Sequence, residues 1–189
     1  MKTIVINIVG GSGIGKSTTA ALVYGELKMK YINCELVREF VKQWAIEGKK
    51  IGPFGQSIIY GQQLERESSL YNKVDFIVTD SPLIMCPPYQ YHYDGHDSIK
   101  FPLFEDLKSA KKLGVTHLNF LLKRIGPFDP KGRYESEEVA KIIDNKVESF
   151  LIYHGIDYIP VSITGDDRVK YIVDTALKVF QEQNGDSDV

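Results

Sequence analysis

Near its amino terminus the chain runs from an apolar segment straight into a glycine-rich turn. Residues 3–9 are nearly continuous in β-branched side chains, which is typical of a strand buried on both faces of a parallel sheet. The turn that follows reads GGSGIGKST and has the form G-x-x-x-x-G-K-S, filled by Gly10, Gly15, Lys16 and Ser17. A helical pattern begins directly after it. A strand, a tight glycine turn and a helix in this order indicate an α/β fold that binds phosphate at the turn.

The residue types of this turn suit a bound triphosphate. Glycine lets several backbone N–H groups approach one anion, and the following helix adds the dipole of its N-terminus. Lys16 supplies a mobile positive charge for the β and γ phosphates, and Ser17 offers a hydroxyl to Mg²⁺. A purely structural glycine turn is the alternative. We predict that the chain binds ATP and Mg²⁺ through Gly11, Ser12, Gly13, Ile14, Gly15, Lys16, Ser17 and Thr18.

Strand-like and helix-like segments alternate along the rest of the chain. We predict strands over residues 3–9, 31–37, 74–79, 116–122 and 157–163, and helices over residues 15–30, 38–47, 53–72, 102–113, 136–153 and 166–183. Buried strands that alternate with helices imply a five-stranded parallel sheet in a three-layer α/β/α sandwich. Ligands of such sheets bind at the carboxyl ends of the strands, where the glycine turn lies. We expect one domain over residues 1–183 and a flexible tail over 184–189.

Composition limits the function classes further. A chain of 189 residues with 43% hydrophobic and 25% charged residues is ordinary for a soluble domain. The net charge of −2 gives no overall attraction to nucleic acid, although a local basic groove remains compatible with it. No signal peptide or membrane-length apolar run occurs, and the two cysteines lie far apart, so we expect reduced thiols and a cytoplasmic location. The oligomeric state stays open between monomer and homodimer.

Asp80 is the first residue that points to a reaction type. It ends the strand-like run FIVTD, where a carboxylate can hold Mg²⁺ beside the hydroxyl of Ser17; a cap of the next turn is the alternative. Ser81 follows where many hydrolytic ATPase motors carry glutamate, which argues against a motor. The nearest match to a guanine-specific N-K-x-D motif, residues 145–148, lies inside a predicted amphipathic helix. Transfer of a phosphoryl group to an acceptor is therefore the favoured reaction.

A kinase needs a base at the acceptor and cations around the γ phosphate. Glu39, shortly after the second strand, is the candidate base, with Glu35 as competitor and a charged surface helix as the alternative. We predict a lid over about residues 124–135, in which Arg124 and Arg133 stabilise the transferring group, unless the segment is only a solvated basic loop. Arg168 is a candidate for the adenine side, where helix capping by Asp166 competes.

Candidates for acceptor binding lie on three further segments. They are Arg38 and Glu39 after the second strand, Tyr60 and Gln63 on the long helix, and Tyr89 in the aromatic segment PPYQYHYDGHD of residues 87–97. We expect that aromatic segment to cover the acceptor, with tyrosines stacking on a flat ring.

Taken together, these segments resemble a known group of enzymes. The loop GGSGIGKST, the segments LVREFVKQW and VTDSPL, and the lid segment DPKGRYESEEVAKIIDNKVESFL resemble the small P-loop kinases related to nicotinamide riboside kinase. More closely, they resemble phage-encoded kinase-like ATPases, a group that includes kinases of 5-hydroxymethyluracil in DNA. The resemblance implies a kinase core with Lys16 on the phosphates, Asp80 near the metal, Glu39 at the acceptor and Arg133 in the lid. It also implies the host cytoplasm as location if the gene is carried by a phage.

Two function hypotheses follow. The first is an ATP-dependent kinase whose acceptor is a hydroxyl of a free nucleoside or nucleotide, or of a 5-hydroxymethyl pyrimidine in DNA. A DNA acceptor would need a basic track for the backbone, for which Lys100, Lys108, Lys111 and Lys112 are candidates. The second is a nucleotide-dependent switch or regulatory NTPase without a phosphoryl acceptor.

Overall fold

Five parallel strands form a single sheet in the computed structural model, which describes residues 2–52, 54–126, 128 and 135–185. The strands are β1 (Thr3–Val9), β2 (Cys34–Val37), β3 (Phe76–Thr79), β4 (Val115–Leu122) and β5 (Ile159–Val161). Their spatial order is β2-β3-β1-β4-β5, so the first strand lies at the centre between β3 and β4.

Helices connect the strands and cover the sheet. They are α1 (Lys16–Met29), α2 (Val41–Ile46), α3 (Gly55–Ser68), α4 (Cys86–Asp94), α5 (Lys100–Lys112), α6 (Glu137–Tyr153) and α7 (Gly165–Gly185), and a short 3-10 helix, Leu83–Met85, precedes α4. Within the described ranges, no helix has both the length and the apolar character that crossing a membrane requires.

The central strand explains why helices lie on both faces. Ile4, Ile6 and Ile8 of β1 pack into one core with α1 and α7. Val9 faces a second core on the opposite side, formed with α3, α4 and α6. Side chains alternate along a strand, so β1, all of whose residues are buried, needs cover on both faces. The predicted three-layer α/β fold with a five-stranded parallel sheet is confirmed.

The short elements after β1 differ most from the sequence prediction. The second strand begins at Cys34 rather than residue 31, since Tyr31 adopts a left-handed conformation (φ 59°) where α1 ends. The helix predicted from residue 38 begins only at Val41. The backbone N–H of Glu39 donates to Asp80, directly after β3, and that of Phe40 donates to Gln63 on α3, so side chains distant in sequence hold this stretch.

The aromatic segment of residues 87–97 contains an unpredicted helix. Helix α4 begins at Cys86, with Pro87 and Pro88 in its first turn, where a helix has no need of the missing N–H groups. Gly95 (φ 72°) follows its last residue. Two consecutive prolines usually indicate a turn or loop, so the sequence did not predict this helix, although prolines are well tolerated in a first helical turn.

Helix α3 carries a carboxyl group into the interior. Glu67 is fully buried and accepts a hydrogen bond of 2.7 Å from the Tyr71 hydroxyl. Its second oxygen, Oε2, has no hydrogen-bond partner in the described part of the chain. Burial raises the pKa of Glu67 to about 7, because the charged form loses its hydration. The folded protein therefore favours the protonated acid.

Replacing Glu67 by Gln should change how stability depends on pH. The pKa is raised on folding, so the contribution of Glu67 to stability is greatest below about pH 4.5 and is lost as the pH rises through 7. The Glu67→Gln variant has no carboxyl group to ionise at this position, so it does not lose stability in this way as the pH rises. By pH 8 it should exceed the wild type by up to about 3 kcal/mol, with little difference at pH 4.5. Urea unfolding at both values measures this, with Glu65→Gln, at an exposed position of α3, as control. Parallel pH profiles for Glu67→Gln and wild type would contradict the prediction.

Candidate active site

A cleft opens at the carboxyl ends of β1 and β3. One end is formed by the β1–α1 turn and the first residues of α1, and the other by α2, α3 and α4. Residues 10–17 are called the phosphate loop below. The part of the cleft between α2, α3 and α4 is called the acceptor pocket.

The phosphate loop has the backbone that anion binding requires. Gly13 and Gly15 have φ values of 75° and 94°, which glycine adopts without strain. Gly15 immediately precedes α1, so the first turn of the helix directs its backbone N–H groups toward the cleft. The Lys16 ammonium donates to the Gly11 carbonyl oxygen at 2.8 Å. The side chain of Ile14 is buried in the core, which leaves only its backbone for a ligand.

Ser17 and Asp80 both line the cleft beside the loop. Asp80 is only 5% exposed, and its Oδ1 accepts the backbone N–H of Glu39 at 2.9 Å. Among the described residues, no group of three or more His, Cys, Asp or Glu side chains could hold a metal ion by itself. Magnesium in phosphoryl-transfer sites takes one or two protein oxygens and completes its shell with phosphates and water. A hydroxyl and a carboxylate next to a phosphate-binding turn fit that requirement.

Glu39 lies in the cleft, whereas its competitor does not. Burial raises the pKa of Glu39, and the nearby Asp80 and Glu135 raise it further, while Lys16 and Lys42 act in the opposite direction. Glu35 is half exposed on β2 and pairs with Lys28 at 3.4 Å, and it does not line the cleft. The fold thus brings Glu39, and not Glu35, to the phosphate loop.

The walls of the acceptor pocket are apolar and aromatic, with a few polar groups. Tyr89 and Tyr93 line it from one face of α4, and the Tyr93 hydroxyl donates to Glu135 at 2.8 Å. Tyr91 lies on another face of α4, exposed, with the Lys146 ammonium 5.2 Å from its ring centre. Gln56 of the long helix α3 also lines this part, as its sequence position allowed. The other lining residues of this part were not predicted: Val41, Lys42, Ala45, Ile51, Ile59, Met85 and Cys86.

Three predicted acceptor residues lie outside the lining. Tyr60 is buried behind it and donates its hydroxyl hydrogen to Asp106. Gln63 is fully buried, where it accepts from the backbone N–H of Phe40 and donates to the Thr79 hydroxyl. Arg38 is exposed. Tyr60 and Gln63 therefore support the wall of the pocket from behind.

The predicted arginines have different surroundings. Arg124 donates to the Ser12 carbonyl oxygen of the phosphate loop at 2.9 Å and pairs with Asp144 on α6. Arg168 is buried and donates to the Ile163 carbonyl oxygen and the Thr19 hydroxyl, so it ties α1 to the start of α7. Arg133 lies outside the described residues, as do residues 127, 129–132 and 134 of the predicted lid and residues 186–189 of the predicted tail. No sequence motif had indicated Asp144.

Comparison with known proteins places the chain in a family. A family model described as an AAA domain (AAA_28) matches residues 5–168, and the chain belongs to this family of P-loop domains. No curated protein sequence matches the chain.

Solved structures with the same fold include a NadR protein and two small-molecule kinases. A NadR protein in complex with NR matches with a TM-score of 0.67 and 14% identity over 95% of this chain, which spans about half (51%) of that protein. A deoxyadenosine kinase from M. mycoides with dCMP and dCDP matches with a TM-score of 0.57 and 16% identity, over 93% of this chain and 99% of that one. The APS kinase of Mycobacterium tuberculosis matches with a TM-score of 0.53 and 12% identity, over 94% of this chain and 98% of that one. At these identities the likeness establishes the fold.

Substituting Gly11 by Ala should damage the phosphate loop. A Cβ atom at this position would overlap Asp144 Oδ1 and lie 2.8 Å from the Ala140 backbone oxygen, which cannot move without shifting α6. We expect a loss of about 1–3 kcal/mol in the free energy of unfolding, together with weaker binding of ATP. Chemical unfolding and calorimetric titration measure the two effects.

Gly25→Ala is the matched control, because a Cβ atom there meets nothing within 4 Å in the middle of α1. This change should stabilise the protein by about 0.5–1 kcal/mol. Equal behaviour of the two alanine variants would show that the close approach of loop and α6 is unimportant.

Proposed function

We propose that this protein is an ATP-dependent kinase that transfers the γ-phosphoryl group to a hydroxyl of a nucleoside- or nucleotide-type acceptor. The observation that carries the proposal is the position of Glu39. Its side chain lines the same cleft as Lys16 and Ser17, and its backbone is hydrogen-bonded to Asp80. A carboxylate fixed between a phosphate loop and an aromatic pocket suits transfer to an acceptor better than simple nucleotide binding.

Each residue then has a defined role. Lys16 and the loop amides bind the phosphates, and Ser17 and Asp80 hold Mg²⁺, which neutralises phosphate charge when bound. Glu39 accepts the proton of the acceptor hydroxyl, and Arg124 and Arg133 stabilise the transferring group. Gly11, Ser12, Gly13, Ile14, Gly15 and Thr18 complete the nucleotide site. Arg168 supports it indirectly, through α1.

The acceptor pocket favours a flat ring. Tyr89 and Tyr93 provide aromatic surface, while Gln56 and Lys42 provide hydrogen-bond donors. Either a free nucleoside or nucleotide, or a 5-hydroxymethyl pyrimidine extruded from DNA, satisfies this chemistry. The second acceptor accords with the resemblance to phage-encoded kinases. Activity that falls steeply with salt would favour DNA, whose backbone contacts release counterions, and a small acceptor would show little salt dependence.

The nucleotide site is also compatible with one other candidate. A nucleotide-dependent switch would bind and hydrolyse ATP without an acceptor. Against it, Ser81 follows Asp80, where hydrolytic motors carry glutamate. The aromatic acceptor pocket would also have no purpose in such a protein.

The direct test uses γ-labelled ATP and Mg²⁺ with a panel of acceptors. The panel contains nucleosides, nicotinamide riboside, nucleotides, and DNA with and without 5-hydroxymethyl pyrimidines. We expect label on one acceptor class. Label released only as free phosphate across the whole panel would contradict the kinase proposal and favour the switch.

Glu39→Gln should abolish transfer and leave nucleotide binding intact. Loss of a general base lowers kcat by about 10²–10⁴-fold, whereas Lys16→Ala should also weaken ATP binding. Glu35→Gln is the matched control on β2 and should keep wild-type kcat. Because the pKa of Glu39 is raised, the active carboxylate should be lost on acidification at a pH above the usual carboxyl value of 4.5. Full activity of Glu39→Gln would remove Glu39 as the base.

A further inference from the structure

One acidic side chain outside the predicted site joins two of its parts. Asp144 lies on α6, and its Oδ1 accepts the backbone N–H of Gly11 at 2.6 Å. Its Oδ2 accepts from Arg124 Nε at 2.8 Å and lies 2.8 Å from Arg124 Nη2. The two oxygens of one carboxylate therefore hold the start of the phosphate loop and the residues that follow β4.

The arginine in turn contacts the loop itself. Arg124 Nη2 also donates to the Ser12 carbonyl oxygen at 2.9 Å. The loop backbone is thus held at two successive residues, once by Asp144 directly and once through the guanidinium. The ion pair is largely shielded from water, with 13% of the Arg124 side chain and 22% of the Asp144 side chain exposed. A shielded, charge-assisted pair with several hydrogen bonds holds its geometry much better than an exposed one.

One nitrogen of the Arg124 guanidinium, Nη1, is buried and has no hydrogen-bond partner among the described residues. A buried, unsatisfied donor is costly, and a bound ligand is one way to supply the missing acceptor. Arg124 lines a neighbouring cavity at the end of β4 rather than the cleft itself, but its guanidinium contacts the Ser12 end of the phosphate loop. Among small ligands, a phosphate oxygen is an acceptor that a guanidinium binds especially well.

The close approach of α6 to the phosphate loop depends on the residue at position 11. Helix α6 approaches so closely that a Cβ atom on Gly11 would overlap the carboxylate and crowd the Ala140 carbonyl oxygen. Glycine at position 11, the second of two in succession, is what lets the helix reach the loop. Glu148, one turn further along α6, pairs instead with Lys123 at 2.6 Å.

We propose that Asp144 is a positioning residue that holds Arg124 against the phosphate loop, so that the remaining donor of the guanidinium binds the terminal phosphate of ATP. The inference rests on the nucleotide site of the proposed kinase but not on its acceptor. Asp144 itself touches no phosphate; it acts through Arg124 and the backbone of Gly11.

The experiment compares the affinities of the wild type and its variants for β,γ-imido-ATP and for ADP, both with Mg²⁺, by calorimetric titration. The wild type should prefer the triphosphate. Asp144→Asn and Arg124→Ala should each reduce that preference about tenfold, the effect of losing one charge-assisted contact. The double variant should resemble Arg124→Ala alone, because both changes remove the same contact. Glu148→Gln is the matched control and should keep the wild-type ratio.

Three results would overturn the proposal. They are a wild-type ratio in Asp144→Asn, full multiplication of the two effects in the double variant, or an equal loss in Glu148→Gln. If Asp144→Asn does not fold, the affinity ratio of Arg124→Lys is measured instead. Lysine keeps the positive charge but lacks the planar, forked set of N–H donors of the guanidinium. An unchanged ratio in Arg124→Lys would also overturn the proposal.

No acceptor enters this measurement, so it separates the two claims. A wild type that phosphorylates nothing in the acceptor panel, with the ratio still dependent on Asp144, would refute the kinase and keep the positioning role. If the wild type phosphorylates an acceptor but the affinity ratio does not change in Asp144→Asn, the kinase proposal stands and the positioning role is refuted.

Discussion

The parallel pairing of β1 with both β3 and β4 is the interaction on which the rest of this structure depends. Ile4 of β1 lies opposite Phe76 on one side and Thr116 on the other, and every residue of β1 is buried. Because the three strands run in the same direction, their carboxyl ends meet at one edge. The phosphate loop, Asp80 and Arg124 each follow one of these strands directly or within two residues, which is how they come together.

Hydrogen bonds between the segments at this edge link the parts of the site to one another. Asp80 accepts the backbone N–H of Glu39, so the metal candidate and the base candidate share a fixed geometry. Asp144 accepts from both the loop and Arg124. Burial raises the pKa of Glu39, and the nearby carboxylates of Asp80 and Glu135 raise it further. A group that must take up a proton gains basicity in such surroundings.

The accuracy of sequence-based prediction followed the strength of the local pattern. Strand β1 and helix α6 have long, unambiguous apolar periodicities, and their predicted bounds agree with the structure to within one residue. Helix α2 is six residues long with none of them buried, so hydrogen bonds from distant side chains decided where it begins. Helix α4 was missed because its prolines resemble a turn signal when the helix they begin is not visible.

The sequence by itself determined the fold class and the phosphate loop, since burial periodicity and the conformational freedom of glycine act over a few neighbouring residues. The placement of Asp80 after a buried strand followed from the same local signals. Only the tertiary structure decided that Glu39 rather than Glu35 faces the loop and that Tyr60 supports the pocket from behind. It alone also joined Asp144 to the loop. Those outcomes depend on how elements far apart in sequence pack across the sheet, and no local pattern records the partner that each side chain meets.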